Sequence, residues 1–265
     1  MFFILQKEKK LDLEPFIVQG ILEQNRIMDE YIHYKKEDFS PDVEYPRYIK
    51  TAIPVGTIDF VESWLKTLHG IHHINPIEVP LSLRKEEFLK RNYSIVDKEK
   101  IPKTGHIFLK DVSRLKKFSG EIECERFFAS NIWSHQEEAH DAALHLDPNH
   151  LYQVSEVVSI LSEYRIYVMD NEIEAIANYN GDPCIFPDIT LIRKMINIYS
   201  MQKDCPRAYT MDIAINERGT FLLEIHPWLS IGLYSSLWSR KLLYAYRYGI
   251  DYVLNFNTEP VRFEK

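Results

Sequence analysis

Apolar and polar positions alternate along several short stretches of this chain and recur at helical spacing along others. Residues 210–235, "TMDIAINERGTFLLEIHPWLSIGLYS", carry the clearest case. "MDIAI" alternates, "NERG" predicts a turn, and "TFLLEIH" returns as a mostly apolar run, so a hairpin is expected. Residues 151–180, "LYQVSEVVSILSEYRIYVMDNEIEAIANYN", predict three strands, with a tight turn at "DNE". "GHIFLKDV", Gly105 to Val112, and "ERFFAS", 125–130, predict two more. Ile189, Ile192, Met195, Ile196 and Tyr199 recur at helical spacing in "DITLIRKMINIYSMQK", with Asp188 placed to cap that helix. "FIVQGILEQN", "TIDFVESWLKTLHG", the short charged "RKEEFLKRNY" and the closing "SSLWSRKLLYAYRYGIDYVLNF" also predict helices. The second of these has Thr57 or Asp59 near its start and Gly70 as a stop. "INPIEVPLSL", 74–83, is extended and punctuated by proline. The order lacks regular alternation, which predicts α+β layers rather than a doubly wound sheet.

Composition narrows the class. With 265 residues, 45% hydrophobic and 27% charged, the chain is long enough for one large domain or two small ones and has an ordinary globular balance. A net charge of −7 argues against nucleic acid as the main partner. Cys124, Cys184 and Cys205 show no paired spacing, which points to a reduced, intracellular protein. The apolar start of "MFFILQKEKK" is shorter than the roughly 7–15 residues of a secretory signal. No stretch approaches the roughly 18 apolar residues of a membrane helix, so a cytoplasmic protein without a membrane partner is expected.

Three polar groups interrupt the apolar hairpin. Glu224 and His226 are two apart, so on a strand they share a face, and Asp212 lies on the preceding strand. Unpaired carboxylates between apolar strands are costly, and this grouping could hold a divalent cation. Carboxylate oxygens suit Mg²⁺ or Mn²⁺, whereas imidazole suits Mn²⁺ better than Mg²⁺. Lys110 interrupts "HIFLKDV" and Arg165 sits inside "SEYRIYV". Each could be an edge-strand solubility device. Each could also meet phosphate, Arg165 in a bidentate way. Together with the acidic positions they outline a nucleotide–metal site.

The order of a strand lysine, "VSEVV", "EYRIYVMDNEI" and "MDIAI…FLLEIH" resembles the ATP-grasp fold over roughly residues 85 to 235. Within that superfamily the chain is most similar to the clade named for two arginines and a lysine, known from phages and bacteria. "FLKDVSRLKKFSG" and "SEYRIYVMDNEIEAIANY" carry the likeness. So does the tail of Trp228, Ser230, Gly232, Leu233 and Tyr234 behind Glu224. The resemblance implies an N-terminal pre-ATP-grasp domain at 1–84 and an ATP-grasp domain at 85–265, with lobes at about 85–152 and 153–265. It implies that Lys110 contacts the α- and β-phosphates of ATP, with Lys116 a second phosphate or substrate contact. It implies that Ser155, Glu156, Val157 and Val158 form the adenine hinge. Glu163 would meet the ribose hydroxyls or orient Arg165. Arg165 would hold the γ-phosphate, and Asp212, Glu224 and His226 would hold Mg²⁺ or Mn²⁺. The family usually has Asn where this chain has His226. Arg84, Arg91 and Arg126 are candidates for the second arginine, Arg91 preferred.

The implied activity is an ATP-dependent carboxylate–amine ligase acting through an acyl phosphate, on an amino acid, a peptide or a protein terminus. One alternative is a non-catalytic ATP-binding protein of the same fold. A second treats Asp212, Glu224 and His226 as a mononuclear iron or manganese oxygenase site. The usual triad has two His and one carboxylate, and that reading leaves Lys110 and Arg165 unexplained. Other signals read as surface. His135, His140, His145 and His150 are five apart, and neighbours on a helix would then differ by about 140° in azimuth. "HGIHH" is interrupted by Gly70 and reads as a turn. The aromatics Trp238, Tyr244, Tyr246 and Tyr248 read as core or oligomer contacts.

Overall fold

The computed structural model describes residues 1–7, 13–26, 31–34, 39–40, 42–113, 119–128, 146–234 and 239–256. The N-terminal unit runs β1 (Phe3–Gln6), α1 (Leu13–Gln24), β2 (Tyr31–Tyr34), α2 (Arg47–Lys50), β3 (Ile53–Val55) and α3 (Ile58–His69). Its sheet has the order β2-β1-β3 and is parallel. The sequence pattern predicts none of these strands. All four residues of β1 are buried, and a central parallel strand carries no polar alternation to read. Helix α3 has the ends its sequence predicts. The Thr57 side chain accepts from the Phe60 N–H, and Gly70 closes the helix at φ 68°.

A second sheet has the order β4-β7-β5-β6, all antiparallel. Helix α4 (Glu86–Leu89) leads into β4 (Tyr93–Asp97). The others are β5 (His106–Asp111), β6 (Ser119–Glu123) and β7 (Leu151–Glu156), with α5 (Cys124–Phe127) following β6. The strand expected at 125–130 is therefore displaced, since Cys124–Phe127 is helical and the strand precedes it. The Cys124 N–H closes on the Gly105 carbonyl at 2.9 Å, and the Glu125 carboxylate accepts from the Gly105 N–H. Pairing with β5 thus ends at Glu123 and the chain turns.

The third sheet has the order β11-β10-β8-β9. It is built from β8 (Ser162–Met169), β9 (Glu172–Gly181), β10 (Ala208–Asn216) and β11 (Gly219–Pro227), with α6 (Ile189–Ser200) and α7 (Arg240–Phe256) around it. Asp170 and Asn171 both take positive φ, 48° and 68°, as a two-residue hairpin turn requires. The Asp188 carboxylate accepts from the Thr190 and Leu191 N–H groups and caps α6. Asp188→Ala should cost about 1 kcal/mol in denaturant unfolding. An unchanged midpoint would remove the cap from the stabilising contacts.

Two apolar clusters carry most of the core. One joins the N-terminal sheet to α7 and to Trp228, Leu229, Ile231 and Leu233. The other packs α6 and the third sheet against Ile77, Val79 and Leu83 of the extended segment. Residues from both ends of the chain therefore meet around the segment that follows β11.

Candidate active site

Strand register assembles the polar groups. Asp212 on β10 pairs with Arg165 on β8 on one side and with Glu224 on β11 on the other. The three side chains form one row across the sheet, and His226 follows Glu224 on the same face. Arg165 grips Asp212 with two parallel hydrogen bonds, Nε to Oδ1 at 2.8 Å and Nη2 to Oδ2 at 2.6 Å. Lys110 crosses from β5 of the other sheet and donates to Glu224 Oε2 at 2.9 Å. His226 Nε2 lies 2.8 Å from Glu224 Oε1 and 3.6 Å from Asp212 Oδ2. Five residues from four strands converge, and sequence reasoning named all five.

Charge is concentrated here and mostly shielded from water, with the Glu224 side chain the most exposed of the five at 35%. Burial favours neutral His226, but Glu224 and Asp212 outweigh it and hold the imidazolium up to about 9. Burial opposes ionised Glu224 too, yet His226 and Lys110 hold its carboxyl well below the usual range. Lys110 and Arg165 are likewise held protonated, against burial, by Glu224 and Asp212 respectively. The His226 resonance should therefore titrate by NMR near 9 rather than 6.5 in metal-free protein. Its folded value exceeds its unfolded one. The stability it contributes is thus complete below pH 6.5 and is lost as pH rises through about 9. A midpoint near 6.5 would break the ion-pair assignment.

Two clefts meet at this point. One, of 350 Å³, is lined by the Ser155–Val158 segment, Phe108, Arg91 and Glu163. The other, of 580 Å³, is lined by Glu14, Thr57, Arg165, Ser230, Gly232 and Tyr234. Lys110, Ser119 and Glu224 line both. Ligand atoms of Asp212, Glu224 and His226 lie within 4.8 Å of one another. Two carboxylates and one imidazole at that spacing fit an Mg²⁺- or Mn²⁺-sized cation.

The remaining sequence candidates are placed as follows. The Glu156 carboxylate is engaged by Arg218, at 2.7 Å, and by the Asn92 N–H. Glu163 accepts from Tyr179 Oη and Asn180 Nδ2, both at 2.7 Å, rather than orienting Arg165 directly. Of the three candidate arginines, Arg91 lines a cleft. Arg84 donates to the Val79 carbonyl, and Arg126 is exposed on α5. Lys116, His135, His140, His145 and Trp238 lie outside the described residues. Tyr179, Glu14 and Glu78 were not anticipated. Tyr179 and Tyr234 stack at 5.3 Å, and the Arg165 guanidinium lies within 5.6 Å of both rings. Glu14 on α1 accepts from the Gly232 N–H and from Tyr246 Oη. Glu78, in the extended segment, accepts from Tyr93 Oη at 3.0 Å. A carboxylate in the apolar run "INPIEVPLSL" was the available signal for Glu78.

Comparison with known proteins identifies the family. The model of the ATP-grasp domain of family 2 in the clade named for two arginines and a lysine matches residues 88–240, more than half of the chain. The chain belongs to that clade of the ATP-grasp superfamily. The matched span includes Lys110, Arg165, Asp212, Glu224 and His226, and the α+β ATP-grasp fold follows from it. Among solved structures, the chain is similar to D-alanyl-alanine synthetase A from Vibrio cholerae. Identity is 13%, the TM-score is 0.51, and 97% of this chain and 98% of that one are covered. It is also similar to a RimK domain ATP-grasp protein from Sphaerobacter thermophilus, with 14% identity, coverage of 95% and 99%, and a TM-score of 0.49. At 13% identity the likeness to the synthetase shows the shared fold alone. A search of curated proteins gave no match. No helix among the described residues is long and apolar enough to cross a membrane.

Proposed function

We propose that this ATP-grasp protein is an ATP-dependent carboxylate–amine ligase working through an acyl phosphate. One observation carries the reading. Lys110 and Glu224, flanked by Arg165, Asp212 and His226, stand in the wall that two clefts share. In this reading the 350 Å³ cleft takes the nucleoside of ATP, with Ser155–Val158 along its edge and Glu163 toward the ribose. The 580 Å³ cleft takes the carboxylate substrate, which we assign to the amino-acid or peptide class. Residues 1–84 then wall the substrate side, through Glu14 and Thr57, and 85–152 and 153–265 are the two lobes.

The chemistry follows from the cations. Lys110 and Arg165 clamp the transferring phosphoryl group, so positioning and electrostatics lower the barrier. A carboxylate oxygen attacks the γ-phosphorus, the bond to the β,γ-bridging oxygen breaks, and ADP leaves with that oxygen. An amine then attacks the acyl carbon, and phosphate departs with the C–O bonding pair as the amine loses its proton. Asp212, Glu224 and His226 would hold Mg²⁺ or Mn²⁺, which neutralises phosphate charge. His226 favours a competing reading as a non-catalytic ATP-binding protein, because its imidazolium occupies a Glu224 oxygen that a cation would need.

The test is ADP release, with phosphate, across a panel of amino acids and peptides with Mg²⁺ or Mn²⁺. Release that depends on one carboxylate and one amine is the expected result. ATP binding without release under the whole panel would support the silent binder. No nucleotide binding, read as no shift in thermal midpoint at millimolar ATP, would remove both readings.

A further inference from the structure

Strand β11 carries a bulge immediately before Glu224. Asp212 pairs with Glu224, but the next residue, Ile213, pairs with Leu222, so Leu223 is an extra residue without a partner on β10. The bulge changes which way the chain faces. Leu222 and Ile225 both lie in the core of the third sheet. Between them, Leu223 and Glu224 both line the 350 Å³ cleft, an arrangement that strict alternation forbids. A regular strand would place Leu223 in the core and carry Thr220, Phe221 and Leu222 to the opposite faces. The "LLE" of β11 is thus read with one residue out of phase.

A bulge frees backbone acceptors, and here one side chain collects them. Arg91, between α4 and β4, donates from Nη1 to the Leu222 carbonyl at 2.7 Å and from Nη2 to the Leu223 carbonyl at 3.2 Å. Nη1 also reaches the Leu89 carbonyl at 3.2 Å. Its guanidinium lies 5.9 Å from the centre of the Tyr93 ring and 5.5 Å from that of Phe221. Three backbone carbonyls and two rings therefore define its position. The planar fork of an arginine spans two adjacent carbonyls, and a lysine ammonium does not.

We infer that Arg91 is a positioning residue that locks the β11 bulge and so aims Glu224 at the junction of the clefts. Its charge is engaged by carbonyls of the sheet, and it acts on the reaction through the strand. This inference rests on the proposed role of Glu224 as a cation ligand. Partners that orient metal ligands carry about 10- to 100-fold in metal affinity, and the same size is expected here.

The experiment is Mn²⁺ binding to nucleotide-free protein, followed by the EPR signal of free Mn²⁺. It is run on wild type, Arg91→Lys, Glu224→Gln and the double variant, with ADP affinity measured in the absence of metal. Arg91→Lys should weaken Mn²⁺ by about 10- to 100-fold. The double variant should bind no more weakly than Glu224→Gln, and metal-free ADP affinity, which Arg91 can touch only as one wall of the 350 Å³ cleft, should fall by a smaller factor than Mn²⁺ affinity does. Unchanged Mn²⁺ affinity in Arg91→Lys, with Glu224→Gln impaired, overturns the inference and leaves the metal site standing. A loss of metal-free ADP affinity with Mn²⁺ affinity intact overturns it in favour of a direct phosphate contact. Wild-type protein that binds no Mn²⁺ overturns the metal reading of Glu224 and this role with it. If Arg91→Lys does not fold, a crystal structure of wild type with Mn²⁺ and ADP decides. Arg91 must still sit on the Leu222 and Leu223 carbonyls, and a guanidinium moved onto phosphate overturns the proposal.

Discussion

Arg165→Met is expected to lower ATP turnover by about 10³-fold, the scale of removing an arginine that stabilises a transferring phosphoryl group. The same change should destabilise the fold by about 3 kcal/mol, because it leaves the buried Asp212 carboxylate with only its longer contact to His226, at 3.6 Å. Arg165 and Asp212 side chains are only 12% and 3% exposed, so solvent does little to soften that cost. The two effects separate in a second variant. Arg165→Met with Asp212→Leu removes both charges and should regain most of the stability, while turnover stays lost. Arg165→Lys should also fail, because an ammonium cannot reproduce the two parallel bonds to Asp212. Steady-state ADP release and urea unfolding on the three variants check this. Wild-type turnover in Arg165→Met would refute the phosphoryl-clamp role.

The candidate site was legible because each of its residues breaks a local rule. Lys110 and Arg165 put cations into strands, and Asp212, Glu224 and His226 put polar groups into apolar runs. Parity alone placed Glu224 and His226 on one face. What joins them was not legible. The row Arg165–Asp212–Glu224 depends on the register of three strands, and Lys110 reaches it from a different sheet. The Leu222–Leu223 doublet hid a bulge, since two adjacent leucines look alike whichever one faces the cleft. The N-terminal parallel sheet hid for a related reason. Its central strand is buried throughout, and uniform burial leaves no period to read. The displaced strand at 125–130 reflects the hydrogen bonds that Cys124 and Glu125 make to Gly105, which composition does not announce.

Asp212→Ala combined with Glu224→Ala should abolish Mn²⁺ binding and lower metal-dependent ATP turnover by about 10³-fold or more, since one electrostatic contact alone is worth about 10²–10³. The charge balance predicts an opposite effect on nucleotide binding. In the metal-free protein at neutral pH, the cations Lys110, Arg165 and His226 are bonded to the two carboxylates of Asp212 and Glu224. The double substitution leaves Lys110 and Arg165 without those partners, while His226 loses the two groups that held it charged and returns toward its ordinary range. Two permanent cations relieved of those two carboxylates attract a triphosphate more strongly than the paired site does. Metal-free ATP should therefore bind the double variant at least as tightly as wild type, even as turnover disappears. Calorimetric titration of ATP without metal reads this directly, and it distinguishes loss of a cation site from loss of the fold. Metal-free ATP affinity that collapses together with turnover would mean that the carboxylates hold the cleft in shape. Unchanged turnover would remove Asp212 and Glu224 from the chemistry altogether.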